Sequence, residues 1–182
     1  PVLAKVAAAY PASPIFAATY ARALAASGNP REALARFRSA VTRWPTDWSL
    51  YHELAVVARD LGHADEARKA EEAALTINPT EPSALNGKGL LLADAGRHVE
   101  AGEAFAEAVR HDPTNAVYAA NLGNARRATG DLDAAAAAYR RALELSPDLT
   151  DAANGLGVIL VQQQKPADAV PWLEQAARDP AF

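Results

Sequence analysis

Asn121-Leu122-Gly123-Asn124, then Gly130-Asp131-Leu132-Asp133-Ala134-Ala135, then Tyr139, Ala142 and Pro147 decide the fold of this chain. The stretch holds an apolar–small pair, a glycine, a small–large–small series and a proline. The proline recurs every 34 residues, at Pro11, Pro45, Pro79, Pro113 and Pro147. Proline lacks a backbone N–H and clashes with the preceding helical turn, so a proline at a fixed period ends a helix at a fixed period. A period of this length marks an array of small structural units.

Aligned on the prolines, the units run 14–47, 48–81, 82–115, 116–149 and 150–182, with 1–13 as the remnant of a preceding second helix. Twelve residues before each proline stands Ala33, Ala67, Ala101 or Ala135; five before it stands Ala40, Ala74, Ala108 or Ala142. Between them lies a bulky Phe37, Phe105 or Tyr139, with Glu71 as the exception. In the first halves a small residue recurs at Ala21, Ala55, Gly89, Gly123 and Gly157. Small residues let two helix backbones approach while larger side chains fill the adjoining grooves. Gly28, Gly62, Gly96 and Gly130 separate the halves, where a chain reversal calls for left-handed backbone. Asp65, Asp131 and Asp133 stand near second-helix N-termini, where carboxylates favour the helix dipole. Each unit therefore reads as helix, tight turn, helix, proline stop. Unit five has lost the turn glycine, and Gln163-Gln164-Lys165-Pro166 stands there, with Pro166 suited to open its second helix. The expectation is an all-α chain without strands.

This pattern resembles the tetratricopeptide repeat, and the resemblance covers residues 14–182. It implies an α-solenoid, a right-handed superhelix of antiparallel helix pairs forming one solenoid domain. It also implies a non-catalytic scaffold that holds an extended peptide or a partner domain in a concave groove lined by the first helices. The positions facing that groove in the family fall here on Arg22; on Ser49, His52, Glu53 and Arg59; on Asn86; on Asn121, Asn124 and Arg127; and on Asn154. Side-chain amides donate and accept at once, so asparagines recurring along one line suit a peptide backbone. Asn121 lies one position later than Asn86 and Asn154, about 100° around a helix. The family's two-carboxylate clamp is not expected, because Ala18 and Arg22, and Ser83 and Gly87, occupy its positions. Trp44 and Trp48 flank Pro45 and are either inter-repeat packing or an aromatic contact for another domain.

Composition narrows the remaining functions. Half of the residues are hydrophobic, 22% are charged and the net charge is −4, which argues against general nucleic-acid binding. No apolar run approaches the ~20 residues of a membrane span. The absence of cysteine removes disulfides and thiol chemistry, and fits a cytoplasmic or a periplasmic setting alike. His52, His63, His98 and His111 make no helical ligand pair, so no metal or cofactor is expected. Gly87-Lys88-Gly89 lacks the upstream glycine and the following Ser or Thr of a phosphate loop. Lys88, at a core leucine position, reads as a snorkelling side chain. The carboxylates at Glu71-Glu72 and from Glu100 to Glu107 read as a solvated outer face, and no acid–base pair is expected among them. Pro11, with Leu3 and Val6 before it, and the Asp179-Pro180 close of unit five lead us to expect a piece of a longer array. Three roles follow: peptide scaffold, self-association through uncovered terminal helices near Val170 and Leu173, or a recruiting segment of a larger protein.

Overall fold

The chain is described by a computed structural model over residues 13–178. The readings of residues 1–12 and of Pro180 lie outside the described residues. Ten helices follow one another: α1 (Pro14–Ala26), α2 (Pro30–Arg43), α3 (Trp48–Asp60), α4 (Ala64–Ile77), α5 (Pro82–Asp94), α6 (His98–His111), α7 (Ala116–Ala128), α8 (Leu132–Leu145), α9 (Thr150–Gln162) and α10 (Pro166–Ala176). Among the described residues there is no strand. The fold is all-α, of the solenoid class built from tandem antiparallel helix pairs. Odd-numbered helices begin at 34-residue intervals from Pro14, and even-numbered ones at the same interval from Pro30. Pro45, Pro79, Pro113 and Pro147 each stand one residue beyond the C-cap of a second helix, whose end is Trp44, Asn78, Asp112 or Ser146.

The turns inside the pairs share one geometry. Gly28, Gly62, Gly96 and Gly130 have φ of 81, 76, 73 and 81°. The residue after each glycine donates back across the helix end: Asn29 to the Leu24 carbonyl at 2.9 Å, His63 to Ala58 at 2.8 Å. This closes the orphaned carbonyls of the first helix. In the fifth pair Gln164 takes the left-handed position at φ 59°, and Lys165 donates to Leu160 at 2.9 Å. Side-chain caps fix three starts. Asp47 accepts from the Ser49 N–H, Asn115 from those of Val117 and Tyr118, and Asp131 from that of Ala134.

The chain divides into two compact units between Leu91 and Leu92. In the first, Leu34, Phe37, Leu50, Leu54 and Val57 are buried among alanines of α1–α4, with Trp44 and Leu91 packed against them. In the second, Tyr139, Leu143, Leu156, Ile159 and Leu160 form the centre, with Trp172 and Leu173 against it. The recurrent alanines before each proline are all buried. They leave room for close helix approach, and the bulky residue between them fills the groove. Lys88 is exposed, in keeping with a side chain that reaches solvent, and Val170 is exposed on α10.

Candidate functional site

The first helices carry the polar residues expected of a binding face, and each unit presents its own set. In the first unit, α1 packs against α3 as well as α2. Arg22 Nη1 of α1 reaches Glu53 Oε1 of α3 at 3.1 Å, so two predicted site residues of consecutive pairs lie side by side. The Ser49 hydroxyl donates to Asp47 Oδ1 at 2.6 Å, which spends it on the helix cap. Arg59 lies 3.7 Å from Asp60 and is partly buried. Asn86 of α5 is half-buried beside Gly87.

His52 and Glu71 form the centre of this unit's polar chemistry. Glu71 is only 2% exposed and replaces the bulky core residue of the other pairs. This corrects the expectation that it shares a solvated outer face with Glu72. Glu72 is exposed and pairs with Arg68 at 2.8 Å, whereas Glu71 lies on the inner side of α4. His52 Nδ1 and Glu71 Oε1 share a hydrogen bond at 2.9 Å, with Nδ1 as donor when the carboxyl is ionised, and Glu71 Oε2 has no hydrogen-bond partner. A Cβ at Gly87 would land on Glu71 Oε1, so the glycine of α5 makes room for the carboxylate. Burial pulls the His52 imidazolium down, but the Glu71 hydrogen bond and the charges of Glu71, Glu53 and Glu81 leave its pKa above the ordinary value. Burial pushes the Glu71 carboxyl up, partly offset by His52 and by Arg59.

In the second unit a tyrosine takes the corresponding place. The Tyr139 ring is fully buried on α8 between two glycines of first helices. A Cβ at Gly123 would lie 2.7 Å from ring carbons, and one at Gly155 would lie 2.5 Å from them. Through this gap the hydroxyl donates to Asn124 Oδ1 at 2.6 Å, orienting an exposed amide on α7. Burial pushes the phenol pKa up, and Arg127 of α7 pulls the other way. Asn121 and Asn154 are half-buried on α7 and α9. Sequence reasoning nominated the amide and missed the tyrosine that holds it, because Tyr139 was fully explained as core.

The second helices behave differently. Several of their charges pair locally, Arg36 with Glu32 at 3.2 Å, Arg141 with Glu144 at 3.1 Å, Arg110 with Glu107 and the N-cap Arg97 with Glu100, while Arg38 of α2 reaches Glu66 of α4 at 2.6 Å. Such exposed pairs contribute little to stability, about 0.3–0.5 kcal/mol each. Trp44 and Trp48 are half-buried. Trp44 packs on the first unit's core with the Arg43 guanidinium 5.0 Å from its ring centre. Among the described residues no three metal-ligating side chains converge, and no helix is long and apolar enough to cross a membrane.

These features define a protein of tandem helix pairs with polar side chains on its first helices. The chain belongs to the tetratricopeptide repeat family, whose model matches residues 19–82, 78–116 and 121–181. Such repeats form protein–protein interaction scaffolds. Over 130 residues the chain is 31% identical to Protein O-mannosyl-transferase Tmtc3 of Drosophila melanogaster, a match covering 71% of this chain and 14% of that protein. The chain thus spans about one seventh of that relative's length. In structure it is similar to MamA 41-end from Desulfovibrio magneticus RS-1, with TM-score 0.78, 19% identity and coverage of 91% and 93% of the two chains. It is also similar to YrrB, described as a TPR protein with an unusual peptide-binding site, with TM-score 0.72, 19% identity and coverage of 97% and 91%.

Proposed function

We propose that the chain is a non-catalytic scaffold that holds an extended peptide against the first-helix faces of its units. The observation that carries this reading is the contact of Arg22 with Glu53. It sets candidate residues of successive first helices on one face; a comparable pair, Arg38 with Glu66 at 2.6 Å, joins α2 and α4 on the second-helix side. Asn86, Asn121, Asn124 and Asn154 supply amides that read a peptide backbone without selecting a sequence. Within the first unit Arg22 with Glu53 and Arg59 with Asp60, and within the second Arg127, suit a ligand of mixed polarity. The peptide-binding site named for YrrB supports the same reading.

The test is selection of peptides from a display library, then calorimetry with the full chain. Asn121→Ala with Asn154→Ala should weaken a selected peptide about tenfold or more, the effect of losing about 1.4 kcal/mol. Equal affinity in wild type and double variant would remove these residues from the site. A second reading is self-association through exposed apolar side chains such as Ile15 on α1 and Val170 on α10. Light scattering over a concentration series decides it, since a constant monomer mass counts against it. The likeness to a portion of a named transferase supports a third, a recruiting segment within a larger protein.

A further inference from the structure

We infer that Glu71 is a positioning residue that makes His52 a proton-gated donor to an oxygen acceptor, carboxylate or peptide carbonyl, on a bound chain. The inference rests on the reading of α1, α3 and α5 as a binding face. Its foundation is geometric. A carboxylate occupies the core position held elsewhere by Phe37, Phe105 and Tyr139. It is buried, one oxygen is bound by His52 Nδ1, and the other has no partner. Gly87 on α5 leaves the space that the bound oxygen occupies, since a Cβ there would collide with it.

Chemistry then dictates the tautomer. An ionised carboxylate only accepts, so Nδ1 must carry a proton and Nε2 is the nitrogen left for an outside group. In the doubly protonated ring Nε2–H donates, and it suits an oxygen. After loss of that proton Nε2 accepts, and an oxygen partner is repelled. The buried anion favours the charged ring, so the donor state persists to a higher pH than for a free histidine. The charged groups around the pair are Glu53 and Arg59 on α3 and Glu81 at the start of α5. Glu53 is already engaged by Arg22. The His52 side chain is one-fifth exposed, against 2% for Glu71.

The experiment is nitrogen-15 NMR of the full chain, titrated over pH with and without two probes, sodium acetate and N-methylacetamide. In wild type, Nδ1 should remain protonated and the His52 midpoint should lie above about 6.5. Glu71→Leu, which fills the site with apolar atoms, should lower that midpoint by at least about one pH unit. Glu71→Gln should keep the ring orientation but also lower the midpoint. Acetate should shift His52 at a concentration at least about fivefold lower at pH 6 than at pH 9. This advantage should vanish in Glu71→Leu. N-methylacetamide reports the carbonyl arm, and a response to it alone assigns the acceptor to the peptide backbone. A wild-type midpoint at or below the ordinary value would overturn the inference, as would silence of His52 to both probes. If the pair titrates as described, both probes are silent and selected peptides still bind, the binding face stands and this role of His52 falls.

Discussion

Glu71 is a charge placed where its repeat equivalents put an aromatic ring, and its energetics follow from one neighbour. Removing that neighbour with His52→Ala leaves a buried carboxylate unpaired, at a cost of about 3 kcal/mol at pH 8. The cost should shrink at pH 5, where the carboxyl can take up a proton. Glu71→Leu should stabilise the fold at pH 8 by about 1–3 kcal/mol, because the desolvation penalty disappears. Both folded-state pKa values are raised, so the two signs agree. The His52 contribution is fully present below about pH 6.5 and that of Glu71 below about pH 4.5, and each is lost as pH rises through its folded midpoint. Urea midpoints at pH 6 and pH 9 check this: the wild type should lose stability between them, and Glu71→Leu should lose less. A steeper loss in the variant would contradict the assignment. The register of the repeat already marks residue 71 as a core position. The adjacent Glu72 and the second-helix location argued for solvent instead. What was not legible was the partner: His52 lies 19 residues upstream on another helix, and nothing in the spacing couples them.

At the scale of elements, the turns were legible in detail, because a left-handed backbone leaves a chemical trace in the choice of glycine. The fifth turn has the same path with the wrong residue. Gln164 at φ 59° carries the Cβ penalty that the four glycines avoid, about 1–2 kcal/mol. Gln164→Gly should therefore raise stability by about 1 kcal/mol, the gain being reduced by glycine's greater unfolded entropy. The reverse change, Gly62→Ala, should cost about as much. Thermal melts of the two variants should move in opposite directions, and a lower midpoint for Gln164→Gly would contradict the strain argument. The final helix was less legible. Its interior Pro171 removes a helical donor, and α10 ends at Ala176, short of the period kept by the other second helices.

For the whole molecule, the 34-residue ruler prescribes contacts between helices that are neighbours or next neighbours in the chain. A solenoid of this kind distributes stability locally. Gly155→Ala tests it. Helix propensity alone would favour alanine by about 1 kcal/mol. The added methyl, however, lies 2.5 Å from the buried Tyr139 ring, and overpacking of this sort costs about 1–3 kcal/mol. Hydrogen exchange should quicken in α7–α9 and stay unchanged in α1–α3. Uniform acceleration along the chain would contradict local stability. The candidate face was legible as a set of residues, and its organisation was not. Tyr139 holding Asn124 and Glu71 holding His52 are cross-helix acts performed by residues that the pattern accounts for as packing.

The seat of Tyr139 also bears on how the protein is made. Its ring lies against Gly123, which precedes it in the chain, and against Gly155, which follows it. On the ribosome, where residues emerge at about 5–20 per second, the tyrosine waits on the order of a second for its second wall. Until α9 arrives, one side of the ring is exposed to the cell. Each new repeat thus completes the one before it, and a nascent chain halted between repeats displays an unfinished aromatic surface that a chaperone can recognise.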